Sequence, residues 1–150
     1  MGLDLSRARG LLRSVWALRL LRLVLGGLFV FAGALKLSDP NAFAIQLEKY
    51  GLLPAAWLDP ASYLLPLLEM GAGFLTLLGR RGGAETLGVL LLVFLVVLSY
   101  AWWAGLEIPC GCFSAEDEAQ QFGIQRAILR DLIMLAGVAW LLRHRPLPPC

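Results

Sequence analysis

Two cysteines one residue apart, Cys110 and Cys112 with Gly111 between them, are the sharpest chemical signal in the chain. In extended backbone their Cα atoms fall within the span that a disulfide bridges. The ring would be small and strained, and strained, accessible disulfides are the labile, catalytic kind. Gly111 gives the backbone the latitude a tight ring needs, and Pro109 fixes the approach. The acids Glu116, Asp117 and Glu118 disfavour a thiolate unless a cation lies closer. Three readings stand on these residues: a redox-active pair, a two-thiolate site for a soft metal such as Cu(I), or a structural staple. The staple closes too few residues to remove much loop entropy. Cys150 is a third, distant thiol.

A second set of residues is ionisable but sits in apolar surroundings: Lys36, Glu69, Arg130 and Asp131. At the rise of an α-helix, Lys36 lies roughly 21 Å from the anchor Arg22 and Glu69 about 16 Å from Arg80. Arg130 and Asp131 lie about 20 and 18 Å from Arg143. Two positive and two negative groups thus fall in one layer just beyond a bilayer midplane. Each alone would cost about 2.5–3.5 kcal/mol there, and pairing offsets that cost. Gly26, Gly33 and Lys36 share one helix face, and Ser62, Pro66, Glu69 and Gly73 share another. Small residues beside a charge mark a face turned toward protein. Such a layer is either a structural ion-pair network or a polar pocket for a proton, a quinone head or a thiol substrate.

The elements that must position these groups are membrane spans. The 150 residues suffice for one domain; 59% are hydrophobic, 16% are charged, and the mean hydropathy is +0.72. Water-soluble domains run nearer ~45–50% apolar, and disordered chains are far more polar. A net charge of +2 with no concentrated basic face argues against nucleic acid as a partner. Four stretches approach the ~20 apolar residues that cross a bilayer, at about 18–37, 61–79, 84–104 and 127–142. The third is the clearest, and its apolar side chains favour insertion by about 3–7 kcal/mol. The fourth opens with Arg130 and Asp131 and needs partners. Ala32-Gly33-Ala34 resembles a signal-peptide cleavage site, but the apolar run continues through Leu35 and Leu37, which favours an uncleaved span.

With both termini cytoplasmic, 9 of the 13 Lys and Arg residues fall on the inner side, as the positive-inside rule requires. The expected fold is therefore an all-α, multi-pass four-helix bundle in the cytoplasmic (inner) membrane. Its Cys loop, residues 105–126, then faces the periplasm or cell exterior. In the first outer loop Asp39 can cap a short helix begun by Pro40 and stopped by Gly51. Phe43, Leu47 and Tyr50 share a face of that helix, which suits the outer membrane surface. Trp16, Trp57, Trp102 and Trp103 suit the interfacial belts.

Several of these stretches together resemble DoxX/MauE-like membrane proteins. They are Gly27 to Pro40 with Lys36, Tyr50-Gly51-Leu52-Leu53-Pro54, Leu65-Pro66-Leu67-Leu68-Glu69, Cys110-Gly111-Cys112-Phe113, and the polar start of the last span. The similarity runs in order over nearly the whole chain and is strongest to the methylamine-utilisation branch. It implies four transmembrane helices and a role, with a thioredoxin-like partner, in forming disulfides in an extracytoplasmic enzyme subunit. Carried over by motif, it points to Lys36, Asp39, Tyr50, Glu69, Cys110 and Cys112. Ser114 and Asp131 stand where the family pattern has Gly and Asn. The function expected on these grounds is a membrane thiol–disulfide oxidoreductase or electron-relay subunit, with catalytic Cys110 and Cys112. Lys36, Glu69, Arg130 and Asp131 would form its pocket, supported by Asp39, Tyr50, Pro66 and Gly111. No resident metal is expected, and a quinone is the cofactor that suits such a pocket. The alternative is a small-molecule or soft-metal carrier using the same pocket.

Overall fold

Two interruptions of the apolar pattern, at Ser38-Asp39 and at Gly51 to Pro54, divide the N-terminal half into three helices. The computed structural model describes residues 4–80, 82–106 and 123–144, with side chains from residue 15. Helix α1 spans Asp4–Ser38, α2 Pro40–Tyr50, α3 Ala55–Leu77, α4 Gly83–Trp103 and α5 Gly123–Arg143. The described residues are all helix and connection, with no strand. The Cys110-Gly111-Cys112 motif, its acidic followers, Ser114, Arg145 and Cys150 lie outside the described residues.

The capping chemistry read from the sequence accounts for the α1–α2–α3 path. Asp39 accepts a hydrogen bond from the Ala42 N–H at 3.0 Å, and Pro40 occupies the first turn, where its missing N–H costs nothing. Gly51 ends α2 in the left-handed region, φ 63°, and donates to the Glu48 carbonyl. Helix α1 begins well before the apolar run near residue 18, because Arg, Leu and Ala are strong helix formers and no proline intervenes. Helix α3 also begins early, at Ala55 after Pro54, and carries Pro60 and Pro66 inside it.

The four long helices touch in a closed ring: α1 on α3, α3 on α4, α4 on α5, and α5 back on α1. Helix α2 folds against α3 and α1. The α1–α3 contact is made by small residues. A Cβ built on Gly33 would stand 2.7 Å from the Pro66 carbonyl oxygen, and one on Gly73 would stand 2.7 Å from that of Gly26. Only glycine lets the two backbones approach this closely. Elsewhere the interior is apolar, with Leu25, Phe29, Leu87, Leu91 and Val138 packed together.

The surface is inverted relative to a water-soluble protein. Helix α3 buries Ser62, Glu69 and Thr76 and exposes Leu64, Leu67, Leu68 and Phe74. Val96, Leu129 and Ile133 on α4 and α5 are likewise exposed. So many exposed large apolar side chains call for a non-aqueous surrounding. Two helical segments among the described residues, Val15–Ser38 and Gly83–Trp103, are long and apolar enough to cross a membrane, with mean hydropathies of 1.9 and 2.2. Helices α3 and α5 fall short of that measure. The first carries Glu69 and two prolines; the second carries Arg126, Arg130 and Asp131.

Candidate functional site

Lys36 stands in the last turn of α1, on the same face as Gly26 and Gly33. Those glycines draw α3 close enough for the Lys36 ammonium to reach both carboxylate oxygens of Glu69, Nζ to Oε1 at 2.6 Å and to Oε2 at 2.7 Å. The Glu69 side chain is 1% exposed and that of Lys36 9%. Pro66, one turn before Glu69, is buried in the same seam. A charge pair this dry is stable only with close geometry, and charge-assisted bonds of this length meet that condition.

Two aromatic rings complete the surroundings of Lys36. The Nζ lies 5.4 Å from the centre of the Phe43 ring on α2 and 5.2 Å from that of Phe94 on α4. Each ring contributes about 0.5–1 kcal/mol of cation–π attraction, or more where water is excluded. Among the described residues, the ammonium donates hydrogen bonds to Glu69 alone. An ammonium has three N–H donors, so at least one is left for a further acceptor.

On α5, Arg130 places Nε and Nη2 each 3.0 Å from Asp131 Oδ1. The Asp131 side chain is buried and that of Arg130 about one-third exposed. The four residues placed in one layer by helical rise line a common void of ≈ 30 Å³, with Phe29, Leu91, Phe94 and Met134 as apolar wall. That space holds a water molecule and little more. Lys36 thus pairs with Glu69 across two helices, and Arg130 with Asp131 within one.

Next to this void, and sharing Lys36, Phe94 and Asp131 with it, is a larger cleft of ≈ 270 Å³. Its walls come from α2, the connection after it, α3 and α4, and are almost wholly apolar. Phe43, Gln46, Leu47 and Tyr50 of α2 all line it. The apolar face of α2 thus lines the cleft against the other helices. Tyr50 belongs to this wall. Asp39 does not reach it and acts as the α2 cap. The place of the two phenylalanines beside Lys36, and the cleft, do not follow from the sequence. Phe43 carried a signal, since it begins the apolar face of an amphipathic helix seven residues after Lys36. Phe94 carried none, because α4 is apolar on every face.

Among the described residues, no group of three His, Cys, Asp or Glu side chains is arranged to hold a metal ion. No curated protein and no solved structure matches the chain significantly. The family model of methylamine utilisation protein MauE matches residues 14–144, which covers all five helices but the start of α1, and the chain belongs to that family of membrane proteins.

Proposed function

We propose that the chain is a multi-pass membrane thiol–disulfide relay. Cys110 and Cys112 cycle between dithiol and disulfide and exchange with a thioredoxin-like protein on the extracytoplasmic side. In each exchange a thiolate of one partner attacks a sulfur of the other's disulfide. The mixed disulfide so formed is resolved by the neighbouring thiol, and two electrons and two protons change hands. Helices α1, α3, α4 and α5 are the four spans in this reading. Glu69 of α3 and Asp131 of α5 are tolerated in the membrane because each is paired where it is buried. The Lys and Arg distribution supports cytoplasmic termini, which puts the α4–α5 connection outside, where disulfides persist.

The observation that carries the proposal is where the charged layer stands relative to the segment bearing the cysteines. Arg130 and Asp131 line the void with Lys36 and Glu69. Two helical turns further up α5, about 10 Å away, is Gly123, where that segment rejoins the helices. At its other end, Leu98 of α4 packs against Ala127 of α5 and lines the cleft. Leu98, in the last two turns of α4 before that segment, thus borders the cleft, and Gly123 stands two turns from the charged layer.

The test is a pair of single variants, Cys110→Ser and Cys112→Ser, each expressed with a thioredoxin-like partner and run on non-reducing gels. A relay predicts that one variant accumulates a mixed disulfide and the other does not. If neither traps a partner and both keep full biological activity, the relay is wrong.

A further inference from the structure

We infer that the cleft between α2 and α4 binds the head of a membrane quinone, with Lys36 Nζ donating a hydrogen bond to a quinone carbonyl oxygen. The inference rests on the relay reading and deepens it by naming the chemical class that takes the electrons. The volume, ≈ 270 Å³, is close to the lower end of small-molecule sites and suits a head group whose tail leaves along the helices.

Three features of the cleft select this class. Its walls are almost wholly apolar, and the Phe43 and Phe94 ring centres stand 5.4 and 5.2 Å from the ammonium, so a flat ring that accepts from Lys36 has aromatic neighbours. The floor has an N–H to give. Glu69 satisfies two donors of Lys36 at most, and a ligand that is hydrocarbon throughout would leave the remaining one unpaired. The charges on the cleft wall cancel: Lys36 against Asp131. An anionic head such as a fatty-acid carboxylate would meet the Asp131 carboxylate on the same wall and an ammonium already bound by Glu69. A neutral ligand with carbonyl acceptors and an apolar tail satisfies all three.

The reaction balances with the quinone as oxidant. The Cys110 and Cys112 thiols lose two protons and two electrons and form the S–S bond. The quinone gains the same two electrons and two protons and becomes the quinol. As negative charge grows on the quinone oxygen, the fixed Lys36 ammonium stabilises it without reorganisation, because Glu69 and the two rings already hold it in place.

The experiment measures equilibrium binding of decylubiquinone to the full chain in dodecyl maltoside. Val97 lines the cleft and takes no part in the ion pairs. Val97→Phe fills the space, and the double variant Lys36→Met with Glu69→Gln removes the donor while keeping the layer neutral. Each is expected to weaken binding by about tenfold or more, and palmitate is expected not to compete. Circular dichroism checks folding, and Val97→Phe decides the matter if the double variant does not fold. Unchanged affinity in a folded variant, or displacement by palmitate at equal concentration, overturns the inference. Trapping of the partner by Cys→Ser variants is scored separately. Trapping without quinone binding removes the quinone site and leaves the relay, whereas quinone binding without trapping removes the relay.

Discussion

Lys36 and Glu69, thirty-three positions apart, form a bidentate ion pair with Nζ–O distances of 2.6 and 2.7 Å in a nearly dry interior. Removing one partner strands the other charge. Glu69→Gln should therefore destabilise the protein by about 3–5 kcal/mol. The apparent melting temperature in detergent should fall by an amount on the order of 10 °C. Adding Lys36→Met should restore most of that loss, because two neutral side chains of similar volume carry no unpaired charge. If Glu69→Gln melts with the wild type, the site is wet and the low exposure does not describe its solvation.

The seam between α1 and α3 makes a sharper steric prediction. A Cβ on Gly73 would stand 2.7 Å from the Gly26 carbonyl oxygen and 3.0 Å from the Val30 nitrogen, and both are backbone atoms that cannot swing aside. Gly73→Ala should cost about 1–3 kcal/mol by overpacking. A Cβ on Gly71, two residues away, meets nothing within 4 Å. Gly71→Ala should be neutral or stabilise by up to about 1 kcal/mol through helix propensity. Thermal unfolding of the two variants, side by side, checks both. Equal melting points would show that the helices are not held this close.

Much of this arrangement was legible in the residues alone. Helical rise placed Lys36, Glu69, Arg130 and Asp131 at one depth, and the spacing of Gly26, Gly33, Pro66 and Gly73 marked the faces that meet. Helical rise carries no information about rotation between helices, so which cation faces which anion was open. The direction of α2 was open too. An apolar stripe of Phe43, Leu47 and Tyr50 serves lipid or protein equally well, and in the fold it lines the cleft. In α4, Leu87, Leu91 and Leu98 are buried while Val89 and Val96 are exposed, a division that a wholly apolar sequence cannot display.

Asp39 tests whether a residue shared with the family motif acts through structure. Its carboxylate caps α2, and α2 forms one wall of the cleft. Asp39→Ala should cost about 0.5–2 kcal/mol, and Asp39→Asn or Asp39→Ser should restore nearly all of it, since each side chain offers a capping oxygen. Helix α2 should show faster amide hydrogen exchange in the alanine variant and normal exchange in the other two. If the asparagine variant is as impaired as the alanine one, the negative charge matters and capping is not the explanation.

The orientation of the whole chain is tested by its three thiols. Cys110 and Cys112 fall between α4 and α5 in the sequence, and Cys150 follows α5. The inner side of the proposed topology holds Arg19, Arg22, Arg80 and Arg143, and the retention of basic residues on that side fixes orientation through the membrane potential and the anionic leaflet. A membrane-impermeant maleimide applied to intact cells after mild reduction should therefore label Cys110 or Cys112 and spare Cys150. Permeabilisation should then expose Cys150. A Cys150→Ser variant should keep the labelling in intact cells, and a Cys110→Ser/Cys112→Ser variant should lose it. Labelling of Cys150 alone in intact cells would invert the chain. The pair would then sit in the reducing cytoplasm, where a disulfide relay of this kind has no standing oxidised state to pass on.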